Sequence, residues 1–289
     1  YHRDLHLSIR RQRQMCIRDR LSANQEQIFN DFGFIVLRKI FDQKEISIIN
    51  SEFNSGLNIA EKSMSRAHIR KQLNWSNLKP EYPFLSALLE DDRFTSIAKQ
   101  ILGDDFIGSY SNSNSFSSKV TEWHPDISVR DYDWKGIKFG FYLENTSGST
   151  GALRLIPGSH KSPFHEQIGK LKFKENIVDD KHEGFTVPDI PAFYAESEPG
   201  DVVLFDNHTW HASWGGGDNR KLCSIGYFAN PKNKDQENSA TKISQELSGV
   251  AEKFPLTIIS DNWIDGGKDN PERKRWVESL IKYGFIKNN

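Results

Sequence analysis

In the stretch TEWHPD, residues 121–126, a histidine and an aspartate stand two positions apart with a proline between them. Alternate residues of a strand face the same side, so His124 and Asp126 can offer a nitrogen and a carboxylate oxygen to one point. Pro125 fixes φ and brings no N–H, which suits the end of an edge strand where the chain leaves its sheet. A third ligand has two sources in LFDNHTWHAS, His208 and His211. Two histidines and one carboxylate on one face of a metal leave the opposite positions open, the arrangement used by non-haem Fe(II) oxygenases. Taken alone, an H-x-D triplet more often caps a turn or hydrogen-bonds locally. The elements that position it must decide.

Ser22 and Gln25 form a capping-box pattern, which starts a short helix in EQIFNDF that gives way to a strand around GFIVLRKI. A helical period resumes in DQKEISIINSEFNSGL, with Ile46, Ile49 and Phe53 on one face. A second helical region spans about 83–102 and ends at Gly103, placed as a left-handed cap. From about 105 to 230 the texture changes to short apolar runs divided by Gly, Asn, Asp, Ser and Pro, as in a barrel or double-sheet fold. GIKFGFYLE alternates, with Ile137, Phe139, Phe141 and Leu143 on one face; GALRLIPGSH, PGDVVLFDNHTWHASW and KLCSIGYFA supply further strands. Gly151 and the Pro157-Gly158 pair serve turns, and His160 reads as a turn histidine. Glycines 215–217 let the chain bend between His211 and Arg220; with no lysine and hydroxyl after them and no helix following, they are not a phosphate loop. Cys223 reads as a small buried hydrophobe. After Pro231 the chain is polar, then closes with the amphipathic ERKRWVESLIKYGFI, whose Trp276, Leu280 and Tyr283 recur at helical spacing.

Composition bounds the partners. A formal net charge of −1, with no long block of one sign beyond the first residues, gives no footprint for nucleic acid. No run approaches the roughly 18 apolar residues of a membrane span. Cys16 and Cys223 are too few for a disulfide framework, which points to a reducing compartment, the cytoplasm by default. The 19 Phe and 7 Trp predict a core or pocket rich in rings, and Trp134, Phe139, Phe141 and Trp210 are candidates to wall one. Residues 1–20 carry six Arg against two Asp with no apolar period, and MCIRD is what translation of a transposon adaptor end gives. They are expected to be a non-native or disordered leader, outside the fold.

Three pieces, EWHPD, LENTSGSTGALRLIPGSHK and EPGDVVLFDNHTWHASWGGGDNRK, occur in the order and near the spacing of one known family. In them the chain resembles the phytanoyl-CoA dioxygenase family of Fe(II)- and 2-oxoglutarate-dependent oxygenases, over about residues 21–235. The resemblance implies a mainly β fold with flanking helices (α+β), its core a double-stranded β-helix of the jelly-roll or cupin type. It implies a dioxygenase domain over 21–235, with residues 236–289 as a helical extension packed on the same domain. Its metal ligands fall on His124, Asp126 and His211, leaving His208 as an exposed turn residue. Arg220 falls on the position that holds the distal carboxylate of 2-oxoglutarate, with Ser213 adding a hydroxyl. Lys119 is the candidate for the keto-acid end, and Lys221 and Lys138 are alternative cations should Arg220 not serve.

The implied reaction hydroxylates a C–H bond of a small organic or lipid-like substrate, with Fe(II) as cofactor, 2-oxoglutarate as cosubstrate and ascorbate as an optional reductant. Asp126 favours hydroxylation, since halogenating relatives carry a small residue there. A basic entrance for an acyl-CoA could come from Arg66, Arg70 and Lys71. The competing readings are a cupin-like non-redox metal enzyme or metal-dependent binding protein, and a non-catalytic relative; the intact triad and Arg220 argue against both.

Overall fold

The computed structural model describes residues 20–63, 72–117, 120–127, 134–173, 184–217, 220–253 and 258–286. The expected leader, Lys119 and the basic cluster Arg66, Arg70 and Lys71 lie outside the described residues, apart from Arg20.

Among the described residues, ten strands form two antiparallel sheets. In chain order they are β1 (Phe34–Leu37), β2 (Gln72–Ser76), β3 (Phe106–Phe116), β4 (Val120–His124), β5 (Gly136–Tyr142), β6 (Leu153–Leu155), β7 (Phe193–Ala195), β8 (Val202–Asp206), β9 (His211–Trp214) and β10 (Arg220–Ala229). The larger sheet runs β1-β8-β5-β10-β3-β2 and the smaller β4-β9-β6-β7. The double-stranded β-helix implied by the resemblance is the fold of the chain.

Alternation decides what each sheet face meets. On β5, Ile137, Phe139 and Phe141 are buried in the main core with the helices, while Lys138, Gly140 and Tyr142 point the other way, between the sheets. That core is ring-rich: Phe94 packs edge-on to Phe139 at 5.1 Å, and Phe53 edge-on to Trp75 at 4.9 Å.

The helices cover the outer face of the larger sheet. The helix Ala23–Phe32 begins with the full capping box of Ser22 and Gln25. The helix Gln43–Ser63 buries Ile49 and Phe53. The region 83–102 is two helices, not one: Pro83–Ala87 passes through a 3-10 turn at Leu88–Glu90, and Asp91 then caps a new helix, Asp92–Leu102, by accepting from the Arg93 N–H. An N-cap aspartate inside an apolar period restarts the helix in a new direction. The polar run after Pro231 is the helix Lys234–Lys253. It and the helix Pro271–Lys282 join the main core through Ala240, Ile243, Trp276, Leu280 and Tyr283. No described helix is long and apolar enough to cross a membrane.

Candidate active site

The site lies between the sheets. β4 and β9 pair antiparallel in a register that sets His124 directly opposite His211, and their rings sit 4.3 Å apart, centre to centre. Asp126 follows one proline later, its Oδ1 3.7 Å from His211 Nε2. Among the described residues, these three bring their ligand atoms together, all within 4.8 Å of one another. Each imidazole is oriented through its other nitrogen: Nδ1 of His211 donates to the Thr209 carbonyl at 2.8 Å, and Nδ1 of His124 to the Glu122 carbonyl at 2.7 Å. That fixes the tautomer and leaves each Nε2 as a lone-pair donor.

The electrostatics suit a cation. Burial, with the neighbouring His124 and Lys138, pulls His211 down to about 3, so it is neutral near pH 7. Burial would raise the Asp126 carboxyl, but the charge of Lys138 and the two imidazoles outweigh it and hold it at about 2. A neutral imidazole beside an ionised carboxylate is the protonation state that metal binding requires.

Arg220 opens β10 in the same pocket, which is also lined by Phe116, Thr121, Tyr142, Leu153, Ser213 and Leu222. Its guanidinium is only 4% exposed and stacks on Phe116, its cross-strand partner, at 4.9 Å. Nη2 makes one long contact, 3.5 Å to Thr121 Oγ1, while Nε, Nη1 and the buried Ser213 hydroxyl have no partner among the described residues. A buried guanidinium with donors unused fits a ligand carboxylate, which it can bind through two parallel bonds. Two glycines make the room. Gly151, at φ +91°, and Gly216 lie so close that a Cβ on either would stand 2.6 and 2.5 Å from Nη1. The turn glycines of the sequence thus also shape the arginine's seat.

The family model for phytanoyl-CoA dioxygenase matches residues 29–221, a span that holds His124, Asp126, His211, Ser213 and Arg220. The chain belongs to the phytanoyl-CoA dioxygenase family. Its class is that of the 2-oxoglutarate-dependent non-haem iron dioxygenases, whose cofactors are Fe(II) and 2-oxoglutarate. Curated relatives include the ectoine dioxygenases of Bordetella bronchiseptica, 24% identical over 68% of this chain and 70% of the relative, and of Sphingopyxis alaskensis, 25% identical over 68% and 71%. In fold, this family member is similar to HygX from Streptomyces hygroscopicus with nickel and 2-oxoglutarate bound, at a TM-score of 0.56 and 19% identity over 72% of this chain and 86% of that one. It is also similar to EctD from S. alaskensis with 2-oxoglutarate and 5-hydroxyectoine, at 0.53 and 20% over 73% and 77%.

For this phytanoyl-CoA dioxygenase family member, several sequence expectations need correction. His208 is not an exposed turn residue: it is 3% exposed, and both its backbone N–H and Nδ1 donate to Asp206 Oδ1, at 2.8 and 2.9 Å. Trp134, Phe139 and Phe141 belong to the main core, and Trp210 to a smaller cluster with Trp123 and Ile156. The pocket's rings are Phe116, Tyr142 and Phe205 instead. Lys221 points away from the pocket, its Nζ on Asn54 Oδ1 at 2.9 Å. Lys138 lies at the metal end, its Nζ 3.0 Å from Asp126 Oδ2. Thr121 and Tyr142 join the pocket without having stood out in the sequence; for Tyr142 the signal was the second face of the β5 alternation that places Phe139 and Phe141. His160 sits in a turn, with Nε2 3.1 Å from the Asn30 carbonyl, and Cys223 is a buried thiol that burial pushes up to about 12.

Proposed function

We propose that the protein hydroxylates a C–H bond of a small organic molecule, with Fe(II) held by His124, Asp126 and His211 and the distal carboxylate of 2-oxoglutarate held by Arg220 and Ser213. The observation that carries this reading is the pairing, in one pocket, of a converging His-Asp-His cluster with a buried guanidinium whose Nε and Nη1 have no partner among the described residues. A non-redox cupin-type metal enzyme has a use for the first but none for the second.

When bound, Fe(II) with 2-oxoglutarate supplies an oxidant strong enough for an unactivated C–H bond, the keto acid leaving as succinate and carbon dioxide. The chain's own part is orientation and exclusion. Carbonyls of Thr209 and Glu122 hold the two imidazoles, and Lys138 holds the ligand carboxylate in its ionised form. Arg220 fixes one end of the keto acid at the far side of the pocket, so that its other end reaches the metal in one orientation. Phe116, Leu153, Val203, Phe205 and Leu222 keep the chamber apolar, which strengthens each of those contacts.

The test is anaerobic addition of Fe(II) and 2-oxoglutarate to the full chain. A weak visible charge-transfer band at one equivalent supports the assignment, and its absence at saturating keto acid removes it. The curated relatives are named for ectoine, which makes ectoine the first candidate substrate, read by succinate release in air.

A further inference from the structure

Lys138 rises from the pocket face of β5 beside the triad, and its side chain is 19% exposed. Nζ donates to both Asp126 oxygens, at 3.0 and 3.2 Å, and lies 5.7 Å from the centre of the Phe205 ring. The other groups facing it are His211, Tyr110 and Tyr142. Burial raises both phenols, that of Tyr110 to about 12, so neither supplies negative charge near neutrality. Glu144 belongs to another neighbourhood, accepting from the Lys221 N–H at 2.7 Å. Among the described residues, Asp126 is the one anion against Lys138.

Loading the site changes that balance. Fe(II) brings two positive charges; Asp126 answers one, and the keto-acid carboxylate of 2-oxoglutarate answers the other. The distal carboxylate is answered by Arg220. Among the described residues, Lys138 then shares its one anion with a metal ion, and a largely buried ammonium without a counter-charge of its own is costly. Resting on the oxygenase reading above, we propose that the substrate carries an anionic oxygen group, of which a carboxylate is the simplest, and that this group seats on Lys138. Phe205, which lines the pocket beside Lys138 and His211, then meets an apolar body, while an amine at this place meets Lys138 as a like charge.

The experiment uses the full chain loaded with Ni(II) and 2-oxoglutarate, which binds without turning over. Three probes of one skeleton are titrated by ligand-observed NMR: cyclohexanecarboxylate, cyclohexanecarboxamide and cyclohexylmethylamine. The carboxylate is expected to bind at least about tenfold more tightly than the amide, and the amine not at all. Lys138→Met should erase that preference and Lys138→Arg keep it, with the 2-oxoglutarate midpoint little changed in either. Lys138→Gln, which keeps a hydrogen bond to Asp126 but no charge, gives the same reading where the methionine variant does not fold. Equal affinity for carboxylate and amide, no measurable carboxylate binding, or a loss of 2-oxoglutarate affinity as large as that of the carboxylate would each overturn the proposal, the last by giving Lys138 to the keto acid. A parent protein that binds no 2-oxoglutarate at all fails at the oxygenase reading instead, so the two failures are told apart.

Discussion

Two groups of histidines sit on either side of the turn between β8 and β9. On one side His211 faces His124 and Asp126, with Nε2 aimed at a shared point. On the other, His208 is locked to Asp206, near the buried ring of His165, whose Nδ1 lies 3.0 Å from the Ser159 carbonyl. Both groups pair imidazole with carboxylate, and each has a buried histidine, His211 in one and His208 in the other. They differ in where the partners come from. His208 and Asp206 are two residues apart on one turn, where local bonds between side chain and backbone close the group on itself. His124, Asp126 and His211 come from two strands, and backbone carbonyls take the outward nitrogens while the inward ones stay available. In the proposed function an imidazole becomes a metal ligand through its register against another strand, not through nearness to a carboxylate in sequence.

The largest effect expected is on the metal itself. Asp126→Ala and His211→Ala should each lose stoichiometric Fe(II) after dialysis and all succinate formation, because the site has one anionic protein ligand and two neutral ones. His208→Ala should keep both. The reverse pattern, read from metal content and turnover, would exchange the roles of the two groups.

Next comes the other end of the pocket. Arg220→Ala should leave Fe(II) binding nearly unchanged and raise the 2-oxoglutarate midpoint by roughly two to three decades, as for loss of one partner of a buried charge-assisted pair. Lysine should rescue only part, since a point charge cannot reproduce the two-pronged contact. Titration followed by the charge-transfer band reads it, and an unmoved midpoint would place the distal carboxylate elsewhere.

For the closed group the expected cost is in stability. Asp206→Asn should destabilise the fold by about 1–3 kcal/mol in urea unfolding, through weakened bonds to the His208 ring and N–H, with metal content unaltered. A fall in bound iron matching the fall in stability would erase the distinction between the groups.

The smallest effect is a pH slope. Burial lowers the His165 pKa below its ordinary 6.5, so the unfolded chain takes up its proton first as the medium is acidified. Its contribution to stability is whole above about pH 6.5 and is lost as pH falls from there toward the folded-state value. His165→Gln should therefore flatten the decline in urea midpoint between pH 7 and pH 5 relative to the parent at equal metal loading. An identical slope would mean that His165 titrates alike in the folded and unfolded chains.

Residue types and spacing alone carried the strand texture of 105–230, the capping box at Ser22, the alternation of β5 and the ligand pair His124 and Asp126, because each rests on neighbours in the chain. They also carried the family's motifs, and through these the positions of His211, Ser213 and Arg220. What they could not carry depends on facing partners. Which of His208 and His211 faces His124 was decided in space by the β4–β9 register, which no local pattern encodes. Whether Arg220 was a surface residue or a buried anchor was decided by Phe116, Gly151 and Gly216, brought to it from other strands and turns. The helical extension expected over 236–289 begins with the helix Lys234–Lys253, whose seat on the main core through Ala240 and Ile243 is too sparse a contact to mark the sequence. Lys138 reads as one more strand lysine until β5 is laid beside β8, and the loop after β4 brings Asp126 onto its ammonium. Burial and charge pairing are properties of the assembled sheets, and tertiary structure alone decided them.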